Sequence, residues 1–263
     1  MTQGKVLIRL PRKTFVEDLG REVSLGSFEK HVIRNPSRSF SDKKNTFRPE
    51  KLQEEPHRFV RRKDDYILMD ADFLDEYKQL RRLAQIITLK DLGRIVTLLG
   101  VTDDSVVVEA GSGSGAATCY LSRLAKRVHS YEVSDDHLAV ARDNVKALGR
   151  DNVEFHKQDV YEDAEAHGAD AFLLDVPDPA KALPQVSKAL RVGGRCVIYT
   201  PNLTQAQQAI TSLPEDFLYE GTSELTERQW EVHDRVLRPR MQGLGHTAFL
   251  TLIRKLPEKG GEQ

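Results

Sequence analysis

The hydrophobic and polar positions along the chain follow two periods, and the period changes near residue 70. Before that point, short runs rich in β-forming residues lie at 5–10, 21–25 and 65–70, and Pro, Gly and Ser separate them. A polar, basic stretch occupies about residues 34–63. The pattern predicts a small β module over residues 1–70 that carries one long loop.

After residue 70 the apolar positions take helical spacing. The segments 75–85 and 88–100 show this period, and in the second Leu92, Ile95 and Leu99 share one face of a helix. From residue 104 onward, apolar runs alternate with helical ones. The pattern predicts strands at 105–109, 128–133, 152–156, 170–175 and 195–200, and helices at about 115–126, 135–148, 179–190 and 203–212.

This alternation predicts an α/β domain over residues 71–263. Because its strands are apolar throughout, both faces of the sheet should be covered, as in a parallel sheet. A last apolar run at residues 246–255 follows a polar connection. We expect this run to complete the edge of the sheet.

The composition is typical of a water-soluble protein, with 39% hydrophobic and 30% charged residues. No apolar run approaches the roughly 20 residues that span a bilayer, and no secretory leader opens the chain. We therefore expect a cytoplasmic protein without a membrane partner. Cys119 and Cys196 are too few for a disulfide framework or a zinc site, so we expect both in the core and no bound metal.

The net charge of −1 conceals an asymmetry between the two parts of the chain. Residues 1–63 hold 16 Lys and Arg against 8 Asp and Glu, whereas the remaining residues hold 23 against 32. A basic segment beside an acidic body is typical of proteins that bind a polyanion. A solvated basic surface without a partner has the same composition, so charge alone leaves both interpretations open.

A glycine-rich loop follows the first strand of the α/β domain, in the sequence VVVEAGSGSGAAT at residues 106–118. Its glycines also satisfy the pattern of dinucleotide-binding loops. The negative charge of Glu109 would oppose a pyrophosphate but favour the sulfonium and ammonium groups of S-adenosylmethionine. We therefore predict S-adenosylmethionine as the cofactor. Its predicted ligands in this segment are Glu109, Gly111, Ser112, Gly113, Ser114 and Gly115.

More polar residues are expected near this loop because the carboxyl ends of parallel strands meet at one edge of the sheet. Glu132 ends the second strand and can accept hydrogen bonds from ribose hydroxyls, and Asp159 follows the third and can accept from the adenine amino group. His137 on the next helix can line the same cleft. The alternatives are a helix cap for Glu132, a turn residue for Asp159 and a solvated side chain for His137.

Asp175 ends the fourth strand in the sequence LLDVPDPA. The two prolines that follow it predict a rigid, extended exit from the sheet, because proline fixes φ and restricts the preceding residue. Asp175 would then be held at the mouth of the cleft, where it is the candidate catalytic residue and a further cofactor contact. A turn-forming aspartate is the alternative.

Six segments in order carry a resemblance to a known family: RRLAQIITLKD, EAGSGSG, YEVSDDHL, LLDVPDP, YTPNLTQ and RPRMQGLGHTAFL. Together they resemble the tRNA (adenine-N1)-methyltransferases that modify adenosine 58 of the T loop, over about residues 65–255. The first and last segments are the most specific. Ala180 departs from the family, in which many members place Trp after the proline, and residues 34–63 have no clear counterpart.

The resemblance implies a class I (Rossmann-like) methyltransferase fold with a mostly parallel seven-stranded sheet and a small N-terminal β module. It also implies methylation of adenine N1 in tRNA at position 58, leaves position 57 open, and implies a homotetramer. Methylation leaves a positive charge on the ring, and the Asp175 carboxylate can stabilise that charge by accepting a hydrogen bond from the exocyclic amine.

Residues for tRNA contact are expected around the specific segments, where basic and polar side chains cluster. Gln85 is expected near the cofactor and can contact the base. The other candidates are Lys78, Arg81, Arg82, Lys90, Tyr199, Pro201, Gln205, Arg238, Arg240, His246 and Thr247. Two alternatives remain open: a methyltransferase for a small molecule or a protein carboxyl group, and a non-catalytic RNA-binding subunit.

Overall fold

The computed structural model describes residues 4–165, 168–233, 236–241, 243 and 245–258. The chain divides into two compact units between Leu80 and Arg81. No helix among the described residues has the length and apolarity needed to cross a membrane.

The first unit is built on a four-stranded antiparallel sheet in the order β4-β1-β8-β7. Phe59 stacks on Tyr66 with ring centroids 5.5 Å apart, and Phe47 packs edge-on against Tyr66. These rings form a core with Leu7 and Leu68. The strands are β1 (Lys5–Arg9), β2 (Arg12–Val16), β3 (Arg21–Leu25), β4 (Glu29–Ile33), β5 (Phe40–Ser41), β6 (Thr46–Phe47), β7 (His57–Arg61) and β8 (Asp64–Asp70), and the helices are α1 (Pro49–Leu52) and α2 (Phe73–Tyr77).

Two expectations for this part of the chain are wrong. Residues 34–63 are not one long loop, because β5, β6, α1 and β7 lie within them and Phe47 and Leu52 are fully buried. The helical period at 75–85 does not continue as a helix either. α2 begins with a capping box at Asp72 and ends at Tyr77, and from Arg81 the backbone bonds to side chains instead of to itself.

The second unit contains the predicted alternation of strands and helices. Its strands are β9 (Val106–Ala110), β10 (Arg127–Tyr131), β11 (Val153–His156), β12 (Ala169–Leu174), β13 (Leu190–Thr200), β14 (Phe217–Glu224), β15 (Trp230–His233), β16 (Val236–Pro239) and β17 (Phe249–Lys255). Its helices are α3 (Leu89–Leu99), α4 (Ala116–Leu121), α5 (Asp135–Ala147), α6 (Pro179–Ala189) and α7 (Leu203–Thr211).

Seven of these strands form one sheet in the order β11-β10-β9-β12-β13-β17-β14. The first five run parallel, and β17 pairs antiparallel with both β13 and β14. The sequence pattern suggested that the last apolar run of the chain completes the edge of the sheet. That expectation is wrong, because β17 lies inside the sheet, between β13 and β14. The edge strand on that side of the sheet is β14. The sequence pattern revealed neither β14 nor the β15-β16 hairpin.

The apolar strands and helices bury a continuous core, which includes Phe172, Leu174, Leu183 and Ile198. Both cysteines are free and buried, as expected from their apolar surroundings. This packing brings the carboxyl ends of β9, β10 and β12 side by side. The residues that follow those ends, starting with Gly111, Glu132 and Asp175, form the candidate site.

Candidate active site

A cleft of about 460 Å³ opens at the carboxyl ends of β9, β10 and β12. This is the edge at which open α/β sheets bind ligands, and the volume suits a small molecule. The residues that line the cleft are Ala84, Gln85, Ala110, Gly111, Gly113, Tyr131, Glu132, Val133, Ser134, His137, Gln158, Asp159, Val160, Tyr161, Asp175, Val176 and Pro177.

The charge of the cleft is one-sided. Its lining residues include the carboxylates Glu132, Asp159 and Asp175, and no Lys or Arg is among them. A pyrophosphate would meet uncompensated negative charge there, whereas a cationic ligand would be attracted. The cleft therefore favours a ligand with a positive end.

The glycines of the loop have separate structural roles. Gly111 and Gly113 line the cleft, and Gly113 has a left-handed φ of +51°. Gly115, with a φ of +72°, begins α4 at a close approach to α5, and a Cβ placed on it would lie 2.8 Å from the Cα of Ala141. Gly115 thus packs the loop against α5 instead of touching the cleft.

Glu109 does not line the cleft, which corrects the position expected for it. Its side chain is 1% exposed and lies behind the loop, where its Oε2 accepts hydrogen bonds from the hydroxyls of Thr118 and Ser130. Burial raises the pKa of Glu109 to about 7 despite these two donors. Its carboxyl group supports the loop from within the protein.

The side chains of the two loop serines, Ser112 and Ser114, are buried as well. Neither residue lines the cleft, so the geometry favours a structural role over the expected contact with the cofactor. The hydroxyl of Ser112 lies 2.6 Å from that of Ser130. The hydroxyl oxygen of Ser114 accepts from the backbone N–H groups of Leu83 and Ala84 at 2.9 and 3.1 Å. Both side chains hold the loop in place from behind.

Glu132 is fixed by backbone donors from the glycine loop and from the two residues that follow it. Its Oε2 accepts from the N–H of Gly113 at 2.9 Å, and its Oε1 accepts from Val133 and Ser134 at 3.0 Å. The Nδ1 atom of His137 lies 3.8 Å from the same carboxylate. The structure thus brings Glu132, His137 and the glycine loop together.

Asp159 lies in the segment that follows β11. Its Oδ1 accepts from the backbone N–H of Tyr161 at 2.9 Å, which is the turn geometry that was the alternative role for this residue. It also lines the cleft, so a turn and a ligand contact are compatible. The hydroxyl of Tyr161 in turn accepts from the N–H of Asp178, which fixes the chain just after Asp175.

Asp175 lies half-buried at the mouth of the cleft, as its place after β12 predicts. Its backbone is held to the glycine loop, because its carbonyl oxygen accepts from Gly111 and its N–H donates to Ala110. Burial raises the pKa of Asp175 to about 6. Within the described parts of the chain, no donor bonds to its carboxylate, so both oxygens can accept from a ligand.

The segment after Leu80 forms one border of the cleft. Asn144 on α5 accepts from the N–H of Arg81 and donates to the carbonyl oxygens of Arg81 and Ser114. These bonds and those of Ser114 place Gln85 at the cleft. The side chains of Arg81 and Arg82 are exposed, and so is that of Lys78 in the first unit.

Lys90 does not have the position of a free phosphate ligand. Its ammonium group donates to the carboxylate of Asp91, the hydroxyl of Thr247 and the carbonyl oxygen of Leu225, all within 2.8 Å. The buried Asp91 also accepts from the hydroxyl of Tyr199 at 3.3 Å. Three predicted substrate residues, Lys90, Tyr199 and Thr247, therefore meet around an aspartate that ties α3 to β13.

The predicted substrate residues of the later segments are also engaged with neighbours. His246 donates to the carbonyl oxygen of Pro201 at 2.8 Å and faces the carboxylate of Glu224, which raises the pKa of the imidazole. Gln205 donates to the carbonyl oxygen of Pro177 at the mouth of the cleft. In the β15-β16 hairpin region, Arg238 pairs with Glu231 and Arg240 with Gln229. Arg240 and Lys90 line a second depression, together with Thr226 to Gln229.

Three important residues have no motif in the sequence. Asn144 lies among the polar residues of α5. Asp91 is in the first turn of α3, where acidic residues are common, and Tyr161 lies in a loop. The signal that could have indicated Asn144 is a polar side chain on the apolar face of α5, between Ala141 and Val145. Tyr161 is two residues from the predicted Asp159.

Comparison with known proteins identifies the family. The profile of the family described as "tRNA methyltransferase complex GCD14 subunit" matches residues 77–246. The chain is 38% identical over 190 residues to the tRNA (adenine(58)-N(1))-methyltransferase TrmI of Thermus thermophilus, which covers 69% of this chain and 74% of that protein. It is 29% identical over 224 residues to the tRNA (adenine(57)-N(1)/adenine(58)-N(1))-methyltransferase TrmI of Methanocaldococcus jannaschii, covering 73% and 79%.

The solved structures that align over nearly the whole chain include two methyltransferases. The crystal structure of tRNA (m1A58) methyltransferase TrmI from Aquifex aeolicus aligns with a TM-score of 0.76 and 26% identity, over 96% of this chain and 97% of that one. That of an S-adenosylmethionine-dependent O-methyltransferase from Thermotoga maritima has a TM-score of 0.81 and 22% identity, over 98% and 94%. The predicted class I methyltransferase fold is confirmed. On the family profile and the 38% identical relative, the chain belongs to the GCD14-type tRNA methyltransferase family.

Proposed function

We propose that this chain transfers a methyl group from S-adenosylmethionine to N1 of adenine 58 in the T loop of tRNA. The family and its named relatives support the reaction and the cofactor. The observation in the structure that supports it best is the cleft with three carboxylates and no Lys or Arg in its lining. This charge suits a carrier whose reactive end is cationic.

The cleft also fits the other parts of that cofactor. Glu132, at the carboxyl end of β10, would accept from the ribose hydroxyls. Asp159 would accept from the adenine amine, between the apolar side chains of Val133 and Val160. The backbone at Gly111 and Gly113 leaves room for the methionine portion because no Cβ is present. The cofactor supplies a methyl group on a sulfonium, which is the leaving group of the reaction.

Besides its predicted contact with the cofactor, Asp175 would act on the substrate base. Adenine N1 has a free lone pair, so the attack requires no strong base. A bond forms between N1 and the methyl carbon as the bond from carbon to sulfur breaks, and the positive charge moves to the purine ring. An ionised Asp175 that accepts from the exocyclic amine holds N1 in line and stabilises the charge as it develops.

The target base has to leave its stack before it can react, because N1 lies on its pairing edge. The exposed Arg81 and Arg82 would contact phosphates of the splayed RNA. We propose that the basic first unit, which contains the positive excess of residues 1–63, adds to this electrostatic binding. Its removal should weaken tRNA binding and flatten the salt dependence.

The assembly and location are part of the same proposal. A homotetramer would cover the apolar side chains that the β15-β16 hairpin exposes, among them Trp230, Val232 and Leu237. Large exposed apolar patches are typical of interfaces. The enzyme would work in the cytoplasm, where its substrate is found.

Methylation of defined tRNAs tests the proposal. Unmodified tRNA and labelled cofactor should give 1-methyladenosine at position 58, and guanosine at position 58 should remove the label that belongs to that position. A companion tRNA with guanosine at position 57 tests the adjacent site, since loss of part of the label would show that both adenosines are substrates. Label on protein or metabolites alone would contradict the tRNA assignment.

A further inference from the structure

We propose a second site on this protein: His129, Glu154 and His156 form a binding site for a divalent transition-metal ion of the zinc type. The cluster lies on β10 and β11, at the outer edge of the seven-stranded sheet. It is separate from the cleft, whose lining includes none of the three residues. The sequence led us to expect no metal because the two cysteines are too few for a zinc site, and that argument did not consider these three residues.

The sheet itself brings the three ligands together. In the parallel pairing of β10 with β11, His129 is opposite Glu154 and Tyr131 is opposite His156. Because side chains alternate along a strand, residues two apart point to the same face. His129, Glu154 and His156 therefore project from one face, on neighbouring strands.

The distances suit a single ion. The Nδ1 atom of His129 lies 3.1 Å from Nε2 of His156 and 3.6 Å from Oε2 of Glu154. All three potential ligand atoms lie within 4.8 Å of one another. Two imidazole nitrogens bound tetrahedrally to one zinc ion, each at about 2.0–2.1 Å, lie about 3.3 Å apart. The site is thus close to its bound geometry.

The surroundings of His156 match those of a metal-bound imidazole. Its Nε2 faces His129, and its Nδ1 faces the carboxylate of Glu165 at 3.6 Å. Metal-bound histidines commonly donate their second ring N–H to a carboxylate, which fixes the tautomer and the ring orientation. Tyr131 stacks on the ring with centroids 4.6 Å apart and an angle of 15°. His156 is thereby held in the orientation that coordination through Nε2 requires.

The charges around the cluster favour an added cation. Two carboxylates, Glu154 and Glu165, face the histidines. The competing cation is Arg127, whose guanidinium is 4.0 Å from Glu154 and whose side chain is 61% exposed. It can move into solvent when an ion binds.

A bound ion would join β10 to the edge strand β11, so it should stabilise the folded enzyme. The test uses untagged, full-length protein stripped of metal with a chelator, to which cobalt(II) is added. We expect one ion per chain, the visible absorption of cobalt in low coordination, and loss of that absorption when zinc is added. Zinc should also raise the midpoint of thermal unfolding, because it binds the native state.

Variants assign the signal to the cluster. Glu154→Gln changes a half-exposed side chain and should leave the fold intact, and His156→Gln removes a nitrogen ligand. Both should weaken cobalt binding by more than the roughly tenfold loss expected for Glu165→Gln, which only orients His156. The matched control is His57→Gln, which removes a histidine from a group with Lys51 and Glu54 in the first unit. It should bind cobalt as the wild type does.

Two outcomes would overturn the site. One is the absence of cobalt absorption and of any zinc-dependent rise in unfolding midpoint in the wild type. The other is a signal that Glu154→Gln and His156→Gln leave unchanged. In either case the contact between His129 and His156 is only a hydrogen bond. Neither result depends on methyltransferase activity, so the site is tested separately from the proposed function.

Discussion

The backbone N–H of Gly111 donates to the carbonyl oxygen of Asp175 at 3.1 Å. A second bond runs the opposite way, from the N–H of Asp175 to the carbonyl oxygen of Ala110. The ends of β9 and β12 are thus joined through main-chain atoms alone. The glycine loop and the candidate catalytic residue keep their relative position whatever side chain stands at residue 175, which makes this position well suited to mutation.

Asp175→Asn should lower the rate of methylation by about two orders of magnitude, as the loss of one preorganised transition-state contact commonly does. Asn has the shape of Asp but lacks the negative charge that stabilises the cationic purine. Affinity for S-adenosylmethionine should change little. Single-turnover rates and calorimetric titration measure the two effects.

The matched control for this variant is Asp178→Asn, which changes a nearby acid that pairs with Lys181 on the surface. It should retain most of the wild-type rate. Equal losses in both variants would mean that Asp175 acts only through the local structure.

The activity should fall in acid because Asp175 must be ionised to accept from the amine. Burial places its pKa at about 6, so kcat/KM should decline about tenfold per pH unit below that value and level off above it. Asp175→Asn should lack this decline. Glu109→Gln should retain the decline in acid. That result would exclude Glu109, whose pKa is also raised, as the cause of the decline.

Glu109 should make the stability of the protein depend on pH. Because its pKa rises from 4.5 to about 7 in the folded state, it contributes stability that is fully present below pH 4.5 and is lost as the pH rises through about 7. Such a rise corresponds to roughly 3 kcal/mol. Glu109→Gln, which imitates the protonated acid, should remove this loss.

Urea unfolding of wild type and Glu109→Gln at pH 5 and pH 8 measures this difference. At pH 8 the variant should have a higher free energy of unfolding than the wild type. Asp175 makes a smaller pH-dependent contribution to stability, of the same sign, which is present in both proteins. A stability difference that is the same at the two pH values would show that burial does not shift the pKa of Glu109.

The two left-handed glycines of the loop should respond differently to alanine. At Gly115, a Cβ would meet Ala141 at 2.8 Å, so Gly115→Ala should cost about 3 kcal/mol from backbone strain and overpacking together. At Gly113, the nearest atom would be 3.8 Å away, so Gly113→Ala should cost only about 1 kcal/mol of backbone strain. Denaturant unfolding without ligand compares them, and equal costs would mean that the contact with α5 relaxes freely.

The sequence predicted the fold well where a segment has one strong period. The alternation from β9 to α7 follows directly from apolar runs separated by amphipathic helices. The β14 strand was missed because half of its eight residues are exposed and Gly221 interrupts them. The β17 run was recognised as a strand, but only the antiparallel pairing with β14 shows that it is not the edge.

The candidate site was predictable to the extent that strand ends determine it. Gly111, Glu132, Asp159 and Asp175 all follow strands and all line the cleft. The direction of the Glu109 side chain was not predicted. Its place at the end of β9 suggested the cleft, but its side chain points into the protein, towards Thr118 and Ser130. Nor could the sequence reveal that the helix ends at Tyr77. From Arg81 onward the backbone N–H groups donate to Asn144 and Ser114, which are distant in the sequence.

Two basic residues of the RRLAQIITLKD segment, Arg82 and Lys90, should have different roles, one in tRNA binding and one in stability. The exposed Arg82 is free to contact a phosphate, so Arg82→Ala should lower the slope of log K for tRNA against log salt by about 1. Lys90 holds the fully buried Asp91, so Lys90→Met should leave that slope unchanged. It should instead destabilise the fold by about 3–5 kcal/mol, because an unpaired charge stays buried. Filter binding at several salt concentrations and thermal unfolding distinguish the two, and a reduced salt slope for Lys90→Met with normal stability would return Lys90 to the tRNA surface.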